Sequence, residues 1–134
     1  MAQRKVSFFD EVSTVFADLA DELKLTGPEE NELVLPCSIY KGSGVEYRIM
    51  LNDLEGRVGC TIKIQADTVS LTADIEPLAI VSGAVEKRGG ISYSARNQNQ
   101  LQKSLLGLAD YVRRVHPFLV DPATAVDLIR KARA

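Results

Sequence analysis

Residues that commonly carry catalysis or bind metals are scarce in this sequence. Among 134 residues there are one histidine, His116, and two cysteines, Cys37 and Cys60. A catalytic triad or a Cys–His pair needs partners within hydrogen-bond reach, and the segment around His116 supplies none. The spacing of the two cysteines matches no zinc-binding pattern. We therefore expect the protein not to be an enzyme and to have no catalytic residues, no metal and no cofactor.

Long hydrophobic runs are also missing. No apolar run approaches the roughly 20 residues that a transmembrane helix needs. The N-terminus starts with basic residues, but acidic residues soon follow the first apolar ones, unlike in a signal peptide. Hydrophobic residues make up 46% of the sequence and charged residues 25%, which is typical of a globular domain. We expect a single domain over residues 1–134, located in the cytoplasm and not bound to a membrane.

The first part of the chain predicts one helix followed by strands. Apolar residues recur every three or four positions over residues 8–25, and Gly27 with Pro28 ends that helix. Hydrophobic and polar residues then alternate, as in strands with one buried face, in four segments: residues 33–40, 45–51, 57–66 and 69–75. The short turns between them favour an antiparallel meander. Pro36 places the first of these strands at an edge of the sheet.

The rest of the chain is mainly helical. Residues 77–86 are compatible with a short helix or a strand, and we favour the helix. Residues 91–95 predict a short fifth strand. A long amphipathic helix over residues 101–115 ends at Pro117, and a final helix opens at Asp121. We predict an α+β fold of two layers, in which an antiparallel meander of about five strands carries the N-terminal helix and the C-terminal helices on one face.

The histidine and the cysteines have structural roles in this interpretation. Cys37 and Cys60 each lie on the apolar side of a predicted strand, so we expect both to be buried. His116 stands at the predicted end of a helix. We expect it to be a cation close to the last carbonyl groups of that helix.

Charge is distributed unevenly along the chain. Residues 1–86 contain 7 basic and 15 acidic residues, whereas residues 87–134 contain 9 basic and 3 acidic ones. Oppositely charged halves favour pairing across a symmetric dimer or with a charged protein, and part of the basic surplus is expected to face the acidic first helix. Nucleic-acid binding would use the same basic residues. However, the only aromatic residues in the basic half are Tyr93, Tyr111 and Phe118, and we assign Phe118 to the core.

The order of elements resembles that of a known superfamily. A helix over residues 8–25, strands over residues 33–75, and a leucine-rich tail over residues 105–119 with a short helix over residues 123–129 are similar to the type III secretion chaperone-like superfamily. That superfamily includes the class I secretion chaperones and the YbjN-like proteins. The resemblance is one of architecture and covers nearly the whole chain. It implies a homodimer that binds another protein through helix and sheet surfaces, without catalysis.

Three functions are compatible with these observations. We favour a non-enzymatic protein-binding module, namely a chaperone-like, adaptor or immunity protein that forms a homodimer. The first alternative is a nucleic-acid-binding regulator that uses the basic C-terminal helices. The second is a small-molecule-binding domain, for which a deep pocket containing Tyr47, Tyr93 or His116 would argue. The candidate partner surface combines cationic residues with one methionine: Arg48, Met50, Lys63, Arg96, Lys103, Arg113 and Arg114.

Overall fold

Five antiparallel strands form one layer of the protein and helices form the other. The computed structural model describes residues 2–32, 34–66 and 68–133, with side chains from Phe8 onward except that of Ala66. In chain order the elements are α1 (Ala2–Leu23), β1 (Thr26–Asn31), β2 (Cys37–Gly42), β3 (Val45–Asn52), β4 (Arg57–Ala66), β5 (Val69–Asp74), α2 (Ile75–Val81), α3 (Gln98–Leu119) and α4 (Pro122–Arg133). The strands are adjacent in sequence order, β1-β2-β3-β4-β5. The predicted α+β fold class is confirmed.

A single hydrophobic core lies between the sheet and the helices. The apolar positions of α1 and α3, spaced three and four residues apart, are buried there. The sheet contributes alternate residues of β3 and β4, because successive side chains of a strand point to opposite faces. The largest fully buried side chains include Phe8, Phe16, Tyr40, Tyr47 and Leu108. Among the described residues, no helix packs on the other face of the sheet, which we call the uncovered face.

The pairing of β2 with β3 decides which residues of β2 reach the core. Tyr40 lies opposite Tyr47, and Ser38 lies opposite Ile49. The ring of Tyr40 stacks on Phe16 of α1, with the ring centroids 5.4 Å apart. Side chains alternate along a strand, so Cys37 and Ile39, which is two positions further along β2, lie on the uncovered face. Cys37 is nevertheless buried, as expected, although it does not belong to the core.

Two expectations about the first strands are wrong. The segment Thr26–Asn31, which has no apolar alternation, forms β1 and pairs with β2. β2 therefore lies inside the sheet rather than at its edge, and it begins after Pro36. Pro36 precedes the paired residues of β2, so its missing N–H removes no bond of that ladder, and its carbonyl oxygen accepts from the Leu51 amide at 3.0 Å. Leu33, which we placed at the start of this strand, lies outside the described residues.

Expectations for residues 77–119 are confirmed only in part. The short helix is present as α2, but it begins at Ile75 and ends at Val81. Residues 91–95 do not form a strand: a single bridge joins Ser94 to Arg57, where β5 no longer pairs with β4. Pro117 does not end α3, which continues to Leu119. Burial of Leu119 in the core favours this last turn, and tertiary packing outweighs the hydrogen bond that proline removes.

Phe16 and Phe118 are predicted to differ strongly in their effect on stability. Phe16 is 1% exposed and stacks on Tyr40, so Phe16→Ala should lower the free energy of unfolding by about 3–5 kcal/mol. Phe118 is 41% exposed, contrary to its assignment to the core, so Phe118→Ala should cost less than about 1 kcal/mol. Urea denaturation of both variants measures the difference. Equal losses would contradict the placement of Phe16 between α1 and the sheet.

Candidate functional site

A groove lies on the uncovered face, over the beginning of β4. We call it the sheet-end groove. Its volume is about 450 Å³. Met50 of β3 and Gly59 and Thr61 of β4 form its floor. Polar side chains line it from the end of β3 and the turn that follows, from the ends of β4 and β5, and from the segment between the start of α2 and Tyr93: Asn52, Glu55, Arg57, Asp74, Glu76, Arg88 and Tyr93.

Gly59 makes room for this groove. It lies in the interior of β4 opposite Met50, with Arg57 and Thr61 on the same face. Its φ angle does not require glycine, and a Cβ atom built on it would meet no atom within 4 Å. Glycine in the interior of a strand lowers stability and often marks a place where a ligand or another backbone approaches closely. Neither backbone conformation nor packing within the described chain explains glycine at this position.

One side of the groove is held together by Glu76. Its Oε1 accepts a hydrogen bond from the Tyr93 hydroxyl at 3.1 Å, and its Oε2 accepts from the Gly89 amide at 2.9 Å. Burial raises the pKa of Tyr93 well above its ordinary value, and the charge of Glu76 adds to that shift. Tyr93 therefore stays neutral and donates to the carboxylate. The guanidinium carbon of Arg57 lies 5.6 Å from the centroid of the Tyr93 ring, within cation–π distance.

The other acidic residues of the groove also have partners within the chain. Asn52 Nδ2 donates to Glu55 Oε1 at 2.6 Å, while Asn52 Oδ1 accepts from the Glu55 amide at 3.1 Å. Thr61 Oγ1 donates to Asp74 Oδ1 at 3.4 Å, a weaker contact. No group of three or more His, Cys, Asp or Glu side chains within the described residues could hold a metal ion.

Two exposed apolar side chains, Leu54 and Val34, are each next in sequence to a residue that lines the groove, Glu55 and Leu35. Leu54, in the β3–β4 turn, is 101% exposed, and Val34 is 90% exposed. Leu35 and Met50 are partly exposed and line the groove itself. We call these four residues the apolar rim. Exposed apolar groups that lie together on a surface are typical of protein-binding sites.

His116 and Tyr47 form a buried pair away from the groove. Tyr47 Oη lies 2.6 Å from His116 Nδ1, and both side chains are buried. Burial lowers the pKa of His116 and raises that of Tyr47, so both are neutral. The tyrosine hydroxyl donates to Nδ1 when the imidazole proton is on Nε2, and accepts from Nδ1 when the proton is there. The expectation that His116 is a helix-terminal cation is wrong, because the fold places it against a tyrosine in the core.

The seven residues of the candidate partner surface do not share one surface. Only three lie on the uncovered face: Arg48, Met50 and Lys63. Arg96 lies against Gly56 in the β3–β4 turn, and Lys103 is exposed on α3. Arg113 pairs with Glu22 of α1 at 2.9 Å, and Arg114 pairs with Asp110 at 3.1 Å. The ion pair of Arg113 with Glu22 shows that the basic half faces the acidic first helix at this point. A partner-binding role for the seven residues stays a prediction.

Comparisons with protein-family models, with curated proteins and with solved structures return no match. The resemblance to the type III secretion chaperone-like superfamily therefore remains an expectation from architecture. Within the described residues, no helix combines the length and the apolar character that crossing a membrane requires.

The sequence pattern did not identify the sheet-end groove. Its residues come from three separate segments, and only the fold brings Met50, Gly59 and Tyr93 together. The one local signal was Gly59, a glycine inside an otherwise regular alternating strand. We expected a small-molecule site to contain Tyr47, Tyr93 or His116. Tyr93 lines the groove, whereas Tyr47 and His116 form a pair in the core region.

The Tyr47–His116 pair predicts a pH-dependent stability. The ordinary pKa of histidine is 6.5, and that of folded His116 is lower. As the pH falls below about 6.5, the unfolded chain takes up a proton that the folded chain refuses, so the free energy of unfolding decreases, by at most about 1.4 kcal/mol per pH unit. Above that pH, His116 contributes nothing to the pH dependence of the free energy of unfolding.

Urea denaturation between about pH 7 and pH 5 measures this loss. His116→Asn is the control, because its side-chain amide can accept or donate in place of Nδ1 and does not titrate. The free energy of unfolding of the variant should lack the pH dependence that comes from the histidine. The pH dependence that comes from carboxyl groups is common to both proteins. Identical slopes for the two proteins would show that His116 does not stay neutral in the fold.

Proposed function

We propose that this chain is a non-enzymatic protein-binding module, of the chaperone-like, adaptor or immunity type, that binds its partner at the sheet-end groove and the apolar rim. The observation that supports this best is the exposure of Leu54 and Val34, which are next in sequence to the groove residues Glu55 and Leu35, together with Met50 in the groove lining. Buried apolar anchors surrounded by polar groups supply most of the affinity in protein interfaces. A homodimer, in which the partner is a second copy, is one form of this proposal.

The turn that carries Leu54 supports an anchoring role. Asn52 binds both the side chain and the amide of Glu55, so hydrogen bonds on either side of Leu54 fix the turn. A side chain presented on an ordered turn loses less conformational entropy on binding than one on a mobile loop. Leu54 makes no contribution to the core, so its apolar character is left for a partner.

The charge distribution gives less support to nucleic-acid binding. Three of the basic residues in the C-terminal half have acidic partners at 2.9–3.1 Å, on α1, α3 and α4: Arg113, Arg114 and Lys131. Such pairs are weak at exposed positions, but they reduce the net positive potential that a phosphate backbone would meet. Nucleic-acid binding therefore ranks below protein binding.

A small-molecule ligand is the second candidate. The groove volume of about 450 Å³ is in the range of ligand pockets, and Tyr93 lines it together with charged groups. A small ligand would use the groove, which includes Leu35 and Met50, without Leu54 and Val34. Substitutions at Leu54 therefore separate the two candidates.

Leu54→Asp is predicted to abolish partner binding while leaving the fold intact. Wild-type protein and the variant are each immobilised and exposed to an extract of cells that encode the chain, and the retained proteins are identified by mass spectrometry. Leu54 is fully exposed, so the melting temperature should not change, whereas loss of a hot-spot anchor weakens binding by about thirtyfold or more. Light scattering on the same samples shows whether the partner is a second copy.

Leu106→Asp is the matched control, because Leu106 is also an exposed leucine but lies on α3, in the helix layer. It should retain the same partner as the wild type. Retention of the partner by Leu54→Asp, or equal loss in both variants, would count against binding at the apolar rim. A wild-type protein that stays monomeric at low and high salt and retains no protein would count against the whole proposal.

A further inference from the structure

We propose that two copies of this chain pair through their β5 edges, antiparallel and related by a two-fold axis at Leu71, so that their sheets become continuous. The β5 edge is the side of Val69–Asp74 that faces away from β4. The inference goes beyond the proposed function, because residues 69–73 neither line the sheet-end groove nor belong to the apolar rim. The two can therefore be tested separately.

The two edges of the sheet differ in the features that prevent strand pairing. β1 carries Pro28, two consecutive glutamates and a break in its register between Thr26 and Glu29. β5 contains neither lysine nor proline, its pairing with β4 is regular, and its one charged residue is the last, Asp74. Edge strands that lack such protection are sites of pairing with another chain. The β5 edge is therefore the edge of this sheet that is suited to a partner strand.

The backbone groups that β5 leaves unpaired follow from the direction of the hydrogen bonds across the sheet. The Val58 amide donates at 2.9 Å to the carbonyl of Tyr93, on the β5 side of β4. The even-numbered residues of β4 share this direction, and their partners are the odd-numbered residues of β5. Ser70 and Thr72 therefore point their N–H and C=O groups away from β4. Within the described residues, β5 pairs with β4 alone, and no other backbone hydrogen bond reaches these two residues.

A two-fold axis at Leu71 brings the unpaired groups of two copies together. Ser70 then lies opposite Thr72 of the second copy, and residues paired in this way exchange both of their N–H···O bonds. The paired stretch, residues 69–73, contains no charged side chain, so no like charges meet across the interface. An axis one residue away on either side would draw in the turn before β5 or the N-cap residue of α2 instead.

The helix side of β5 favours a second copy as the partner. Leu71 and Ala73 belong to the core between the sheet and the helices, whereas Val69 is 54% exposed. The two-fold axis sets Val69 opposite Ala73 of the second copy, so the exposed half of each β5 lies beside the covered half of the other. Head-to-tail pairing of β5 with β1 is opposed by the protection of β1. The β5 edge is therefore complementary to itself.

Sedimentation velocity from about 1 µM to about 1 mM protein measures the dimerisation. Amide hydrogen exchange, followed by NMR, locates it. In the monomer the amides of Ser70 and Thr72 meet water, whereas the amide of Leu71 faces β4; in the dimer the first two should exchange at least about tenfold more slowly. A chain that is monomeric at about 1 mM, or a dimer in which both amides exchange as fast as in the monomer, overturns the proposal.

Thr72→Pro should dissociate the dimer and keep the fold of each copy. Proline at this position removes an N–H group that points away from β4, so no bond between β4 and β5 is lost. In the dimer it removes the bond that Thr72 donates in each copy, so dimerisation should weaken by at least about tenfold. Thr72→Val is the matched control, because it keeps the N–H group and should dimerise within about threefold of the wild type. Equal effects of the two substitutions overturn pairing through the backbone.

Cysteine variants test the register independently of the proline. In the double variant Ser70→Cys with Thr72→Cys, the paired Cα atoms lie about 5.5 Å apart, within the range of a disulfide, so mild oxidation should give a covalent dimer. In either single variant the two cysteines are offset by two residues along the strands, beyond about 7 Å, and should not be linked. The native cysteines are buried and do not interfere. A double variant that does not cross-link, or a single variant that does so equally well, overturns the proposed pairing.

Two further outcomes separate this inference from its alternatives. Leu54→Asp should leave the dimer intact; if it dissociates the dimer instead, the copies meet at the apolar rim, so this inference falls while protein binding stands. A chain that is monomeric alone, and whose Ser70 and Thr72 amides become protected only with a different captured protein, pairs its edge with a foreign strand. That result also overturns the pairing of two copies.

Discussion

The alignment of β2 with β3 determines how the rest of the structure is arranged. Placing Tyr40 beside Tyr47 brings both tyrosines to the helix side, where one stacks on Phe16 and the other bonds to His116. A shift of one residue would exchange the two faces of β2 and bring Cys37 and Ile39 to the helices instead. α1 and α3 would then lose aromatic contacts that bind them to the sheet. The same pairing leaves an apolar row of β2 on the uncovered face.

The fold class could be predicted from the sequence because most of the chain has a single dominant pattern. β3 and β4 alternate cleanly, and the helices have one apolar face each, so the layers follow from which residues need burial. β2 was harder, since apolar residues occur at both parities and only pairing with β3 decides between them. β1 was missed because the segment Thr26–Asn31 has no apolar alternation and owes its extended form to hydrogen bonds with β2.

Long-range contacts explain why the candidate site could not be predicted. Tyr47 and His116 are 69 positions apart, and no local pattern links a strand tyrosine to a histidine beside a proline. The groove likewise depends on the point where β5 stops pairing with β4. Beyond that point the chain around Ser94 lies beside the edge of β4, which brings Tyr93 close to Arg57. The uneven charge along the chain was visible in the sequence. Its partial neutralisation between α1 and α3, through Glu22 and Arg113, required the fold.

Two positions at the end of the sheet lie outside the core, which has an evolutionary consequence. Gly59 and Leu54 contribute nothing to the packing between sheet and helices. Substitutions there change the surface at little cost to the stability of the fold, whereas substitutions at Tyr40 or Phe16 disturb both layers. Under the proposed function, selection can therefore alter what the sheet end binds in descendants of this chain and keep the same two-layer body, so binding preference can diverge faster than architecture.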